Sequence, residues 1–285
     1  EIRPRDWSSD VCSSDLESSR ALPEASRIGV LTASVLLAFS LTRILPAPEF
    51  TMSLQLPGFY FGIPLTFGLG MTVLAAGLTA TGMDWLLRLH PSLRGGSTLE
   101  HWLLPTLTTL VVGATLNLIQ ASNAWWFGFG ISALLMLLVF VAEYVVVEIS
   151  APQYPIARAG LTALAYALFF ILTIFLRLAG ARLIVMAPVL FLSAGLIALR
   201  ILHLDGTDRW DFPWAAGIGQ VCAQIGAGLH YWPIQPTQMG LILTGALYAL
   251  TTLSVNVTDG IPLRRASLGP GIILAVTWAA SVFLR

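Results

Sequence analysis

The sequence predicts an all-α, polytopic transmembrane bundle of about nine helices, and three of its features carry that prediction. Apolar residues make up 56% of the 285-residue chain, charged residues only 11%, and the mean hydropathy is +0.80. A soluble domain is about a quarter charged, so a water-facing version of this chain would lack the groups to cover its surface; lipid is the fitting solvent. Long intervals carry no Asp, Glu, Lys or Arg: Phe50 to Met83, Trp102 to Ala142, and Phe212 to Thr258. Tryptophan gathers at the ends of the apolar runs, where its amphipathic ring suits the water–lipid boundary. Trp85, Trp102, Trp125, Trp126, Trp210, Trp214 and Trp232 lie there, while Trp278 lies inside a run.

A helix crosses a bilayer with about 20 apolar residues. On that measure the first span covers residues 28–45 and the second 61–87. Between them, FTMSLQLPGFYF (residues 50–61) is too short to span. Its alternation suits a short strand, and its clustered Phe59, Tyr60 and Phe61 suit an interfacial segment on the outer side, the preferred reading. The third and fourth spans, 102–118 and 125–147, divide one charge-free interval at Ala121-Ser122-Asn123. The fifth and sixth cover 160–176 and 183–202. The seventh and eighth, 213–231 and 237–255, divide another charge-free interval at Trp232-Pro233-Ile234-Gln235-Pro236, and the ninth covers 269–284. Gln220, Gln224 and four glycines dilute the seventh. If it does not span, eight remain.

All basic residues are arginine, and their distribution orients the bundle. Arg20, Arg27, Arg88, Arg94, Arg158, Arg200, Arg209, Arg264 and Arg265 fall on the N-terminal side; Arg43, Arg177, Arg182 and Arg285 fall opposite. The positive-inside rule then places the N-terminus in the cytoplasm and, with nine spans, the C-terminus outside. A formal net charge of zero gives no support to a nucleic-acid partner.

Residues 27–285 are expected to form one transmembrane domain, with residues 1–26 disordered or artefactual. The run from Arg5 to Leu16 resembles a translated sequencing-adaptor remnant, and without an apolar stretch it does not read as a signal peptide. Setting it aside removes Cys12 and leaves Cys222 alone, which excludes an intrachain disulfide or a cysteine metal cluster.

Polar and small residues form stripes at helical spacing. The third helix has Thr106, Thr109, Gly113, Asn117 and Gln120; the seventh has Gly217, Gln220, Gln224, Gly228 and Tyr231; the eighth has Gly240, Thr244 and Tyr248. Such stripes either pack helices closely or line a polar pathway. Ionisable groups concentrate on the inner edge, where Asp84, Glu100, His101, Glu143, Glu148 and His203 fall, so a polar ligand is expected there. Glu143 lies about 18 positions after Trp125, roughly 27 Å along a helix. It approaches the inner boundary without clearing it, and must pair with an inner-side arginine or serve as a proton or cation site. The candidate ligand or pathway residues are Asp84, Asn117, Glu143, Gln220 and Gln224.

The series Asp205-x-x-Asp208-x-x-Asp211 lacks the order of a calcium loop, and Asp211 before Phe212-Pro213 reads as a helix N-cap. GxxxxGK[ST], HExxH and GxSxG are all absent, and the histidines are not placed to ligate haem within the bundle. No catalytic residue, metal site or cofactor is therefore expected.

The stretch AGLTATGMDWLLR from Ala76 to Arg88, with His90-Pro91 and EHWLLP from Glu100 to Pro105, resembles a family of bacterial multi-pass membrane proteins of unknown function. The resemblance covers most of the chain after about Arg27. It implies a bacterial inner-membrane protein and supplies no activity. Three functional classes follow in order of preference: a transporter-like protein or one binding a small molecule or lipid, a non-catalytic assembly partner, and a lipid- or glycolipid-modifying enzyme.

Overall fold

The computed structural model describes residues 25–45, 50–56, 59–88, 98–119, 122–148, 152–204 and 210–283, with side chains from 26 onward except at 50–65. The adaptor-like head and Asp205 and Asp208 lie outside the described residues. Long helices dominate: α1 (Ala25–Ile44), α2 (Phe67–Leu87), α3 (Leu99–Leu118), α4 (Asn123–Val146), α5 (Tyr154–Leu178), α6 (Leu183–Leu204), α7 (Phe212–His230), α8 (Pro236–Thr258) and α10 (Leu268–Phe283), with a single turn, α9 (Leu263–Ala266), before the last. Between α1 and α2 an antiparallel hairpin pairs β1 (Phe50–Leu56) with β2 (Phe59–Leu65), Phe50 opposite Leu65. The short-strand reading of this segment is the one adopted. Because β2 takes up residues 59–65, α2 begins at Phe67 rather than Phe61.

Local chemistry sets the helix ends. Thr66 caps α2, its hydroxyl accepting the Leu69 N–H at 3.2 Å. Gly180 (φ 61) and Gly260 (φ 78) adopt the left-handed conformation that glycine takes without strain. At the first, the N–H groups of Gly180 and Ala181 return to the carbonyls of Arg177 and Leu176; at the second, Gly260 and Ile261 return to Val257 and Asn256. Both are Schellman stops, which satisfy the carbonyls a helix end leaves over.

Among the described residues, six helices are long and apolar enough to cross a membrane: α1, α4, α5, α6, α8 and the α9–α10 unit. The other three long helices are the ones diluted by polar residues: α2 by Asp84, α3 by Glu100 and His101, α7 by Gln220 and Gln224. Two apolar cores organise the bundle. Val35, Phe39, Met83, Met136 and Phe140 centre the first, among α1, α2, α3 and α4. Phe169, Leu190, Met239, Leu243 and Leu247 centre the second, among α5 to α8. Helix α3 serves both, giving Val112 and Leu116 to the first and Leu104, Leu107 and Val111 to the second. It forms the seam of the molecule.

Candidate functional site

Five ionisable side chains meet where three helix ends converge at that seam. Glu100 and His101 stand in the first turn of α3, Glu143 in the last turn of α4, and Arg200 and His203 near the end of α6. An acidic group suits the positive N-terminal end of a helix and a basic group the negative C-terminal end. Glu100 and Arg200 obey that preference, whereas Glu143 stands at the wrong pole and needs a cation. Arg200 supplies it, donating from Nη2 to Glu143 Oε2 at 2.5 Å. Both side chains are almost wholly buried.

His101 extends the pair. Its Nδ1 lies 3.1 Å from Glu143 Oε2 and 3.3 Å from Arg200 Nη2, while its Nε2 lies 3.4 Å from Glu100 Oε1. The other oxygen of Glu100 meets His203 Nε2, and the His203 ring stacks on Trp210 at 5.2 Å between centroids. Carboxylate and imidazole thus alternate from Glu143 to His203. Glu143 Oε1, Arg200 Nε and His203 Nδ1 are buried without a hydrogen-bond partner among the described residues. The cluster therefore keeps unused donor and acceptor capacity.

Asp84 lies on the other side of the same α3 terminus. The Thr98 hydroxyl donates to its Oδ1 at 2.5 Å and Arg88 Nε to its Oδ2 at 2.7 Å, while Trp102 Nε1 donates to Thr98 at 3.3 Å. These groups, with Thr81 and Leu99, line a cavity of about 430 Å³.

The remaining candidates lie elsewhere. Asn117 sits toward the far end of α3, donating to Thr72 at 3.1 Å; a Cβ on Gly68 of α2 would come within 2.5 Å of its oxygen. Thr109 of the same stripe bonds Thr79 at 2.8 Å, so this face joins α3 to α2. Gln220 and Gln224 are exposed on α7, facing away from the bundle. The packed face of α7 is Ala215, Ile218, Gly219, Cys222, Ala223 and Gly226. Asn117, Gln220 and Gln224 do not share a volume. A cavity of about 660 Å³ opens at the opposite end, among Ile225, Leu229, Trp232, Gln238, Trp278 and Ser281. Its mostly apolar lining suits lipid chains more than a polar ligand.

Residues 47–284 match the family described as "Protein of unknown function (DUF5656)". The chain belongs to that family. The match takes in every member of the charged cluster and both cores apart from the α1 residues. Comparison with curated proteins and with solved structures returns no match.

Four members of the cluster lie outside the sequence-based candidates: Arg200 enters the sequence reading only as a topology marker, and Glu100, His101 and His203 only as part of a charged inner edge. One signal was available: Arg200 interrupts the apolar run Ala198-Leu199-Arg200-Ile201-Leu202, and a lone arginine so placed needs a buried anion.

Proposed function

We propose that this DUF5656 member is a transporter-like or small-ligand-binding protein of the bacterial inner membrane, with nine spans, a cytoplasmic N-terminus and its polar site at the Glu143 cluster on the cytoplasmic side. One observation carries the reading: a buried carboxylate–guanidinium pair with attached imidazoles lies at the seam between two separately packed cores. Stability alone does not favour such a pair, since apolar side chains of similar volume often serve as well or better. Ionisable groups at membrane depth accordingly mark ligand and ion pathways. Asp84, with its cavity beside the same helix end, supplies a third carboxylate there.

Thermal stability of the purified protein against a panel of small carboxylates, amines and sugars tests this. A ligand at a hundred times its Kd adds about 2.7 kcal/mol to the folded state. At least one class is expected to raise the Tm of the wild type but not of Glu143→Gln, and to drive currents in proteoliposomes on a solid-supported membrane. A panel with neither response overturns the reading.

The outward face of α7 favours a second reading, an assembly partner. Gln220 and Gln224 are exposed beside Gly217 and Gly228, where an added Cβ would meet nothing within 4 Å. Amides in lipid lack partners, and as both donors and acceptors they are self-complementary between two copies. Native mass spectrometry decides: a dimer that Gln220→Leu/Gln224→Leu dissociates supports assembly, and a monomeric wild type removes it. No observation favours the enzyme reading.

A further inference from the structure

We propose that the chain Glu100–His101–Glu143, with His203 at its outer end, is a proton path, and that the ion handled at this site is therefore a proton; this rests on the transporter reading above. Exposure falls along the chain, from 20% for Glu100 and 17% for His203, through 7% for His101, to 2% for Arg200 and 0% for Glu143. One end thus reaches toward solution while the other is buried. Alternating carboxylates and imidazoles are the groups that pass protons at membrane depth.

Charge balance points the same way. Two carboxylates and one guanidinium, with neutral imidazoles, leave the cluster one negative charge in excess. A single proton balances it.

The geometry holds partners ready for both states of His101. With a proton on Nδ1, that nitrogen donates to Glu143 at 3.1 Å; without it, the same nitrogen accepts from Arg200 at 3.3 Å. Both ring nitrogens can carry the proton, so imidazole takes one on one side and releases one on the other. A proton from water is taken up by Glu100 and passes to His101 Nε2. The ring then releases its Nδ1 proton to Glu143 Oε2, and Arg200 stays cationic throughout. Glu143 gives the proton up by the same relay in reverse, Oε2 returning it to Nδ1 while Nε2 releases one to Glu100 and so to water, which restores both the carboxylate and the starting tautomer. A purely structural ion pair needs Glu143 and Arg200 only, not the Glu100–His203 extension.

The groups facing the chain are Glu100 and His101 from α3, Glu143 from α4, and Arg200 and His203 from α6. On α2, Asp84 is engaged separately with Thr98 and Arg88. Glu148 and Arg158, at the adjoining ends of α4 and α5, have interactions of their own.

Protons alone are the probe. The full chain is reconstituted in vesicles of phosphatidylcholine and phosphatidylglycerol, and infrared difference spectra are taken between about pH 5 and pH 8, the range in which histidine titrates. The expected spectrum contains coupled imidazole and carboxyl bands. The carboxyl band is lost in Glu143→Gln, and both are weakened in Glu100→Gln, whose site lies at the more exposed end and is less prone to misfolding. Proton flux across the same vesicles is expected to fall about a hundredfold in either variant, the lower end of what a positioned proton-transfer group contributes. Bands that respond to both variants without any flux support the proton path and overturn transport. A spectrum without these bands, or with bands indifferent to both variants, overturns the proton path even where small ligands still bind.

Discussion

Removing the guanidinium of Arg200 while keeping Glu143 strands a carboxylate with no exposed surface. Breaking a buried pair from one side costs about 3–5 kcal/mol, whereas replacing both partners with apolar groups of similar volume is often neutral or favourable. Arg200→Met is therefore expected to lower stability by that amount, and Glu143→Met/Arg200→Met to recover most of it. Unfolding of both proteins in mixed detergent measures the difference; a double variant as unstable as the single one would mean that the fold itself needs the charges. Glu143 was legible in the sequence because its depth could be counted from Trp125. Its partner was not, because which of the inner arginines meets Glu143 depends on how α4 and α6 are placed about α3, and no local spacing encodes that.

At the scale of the helix, two glycines of α7 separate packing from exposure. A Cβ on Gly219 would sit 2.5 Å from the Phe191 carbonyl oxygen, a backbone atom that cannot turn aside, whereas one on Gly217 would meet nothing within 4 Å. Gly219→Ala is expected to cost about 1–3 kcal/mol through overpacking, and Gly217→Ala to gain up to about 1 kcal/mol through helix propensity. Paired thermal melts read the contrast. The helices themselves were legible: charge-free length and turn residues anticipate each long helix to within a few residues of its observed ends, except the start of α5 at Tyr154 and of α2 at Phe67. The faces were less so. On α3, Thr109, Gly113 and Asn117 were read as one stripe, and they do form one, against α2. On α7, the amides drew attention to the wrong side. The buried side is set by smallness and apolarity together, in Gly219, Cys222, Ala223 and Gly226, and polarity alone does not reveal it.

At the scale of the whole molecule, the span count rests on the depth of α2, α3 and α7, all too polar to count as spans by composition, and the side on which the chain continues toward its end turns on α7. The packing of α7 places it beside a helix that does count as a span. Gly219 lies against Phe191 and Gly195, and Gly226 against Leu190 and Met186, so α7 runs antiparallel to α6 along an apolar span. Phe191 is eight residues into α6, roughly 12 Å from its start, so a helix packed there is inside the bilayer if α6 is. Nine spans with a cytoplasmic N-terminus then make a specific labelling pattern. In a Cys12→Ala/Cys222→Ala background, single cysteines replace Gln153, Tyr231 and Leu263, all exposed. A membrane-impermeant maleimide is expected to label Tyr231→Cys in intact cells, and Gln153→Cys and Leu263→Cys only after the membrane is opened. The reverse pattern at all three positions would invert the bundle and put the Glu143 cluster on the outer side. If α7 does not cross, the chain after it changes sides: Tyr231→Cys becomes protected and Leu263→Cys accessible, while Gln153→Cys is unchanged. Three positions thus separate the orientation, which rests on arginine counts, from the crossing of α7, which rests on the contact of Gly219 with α6.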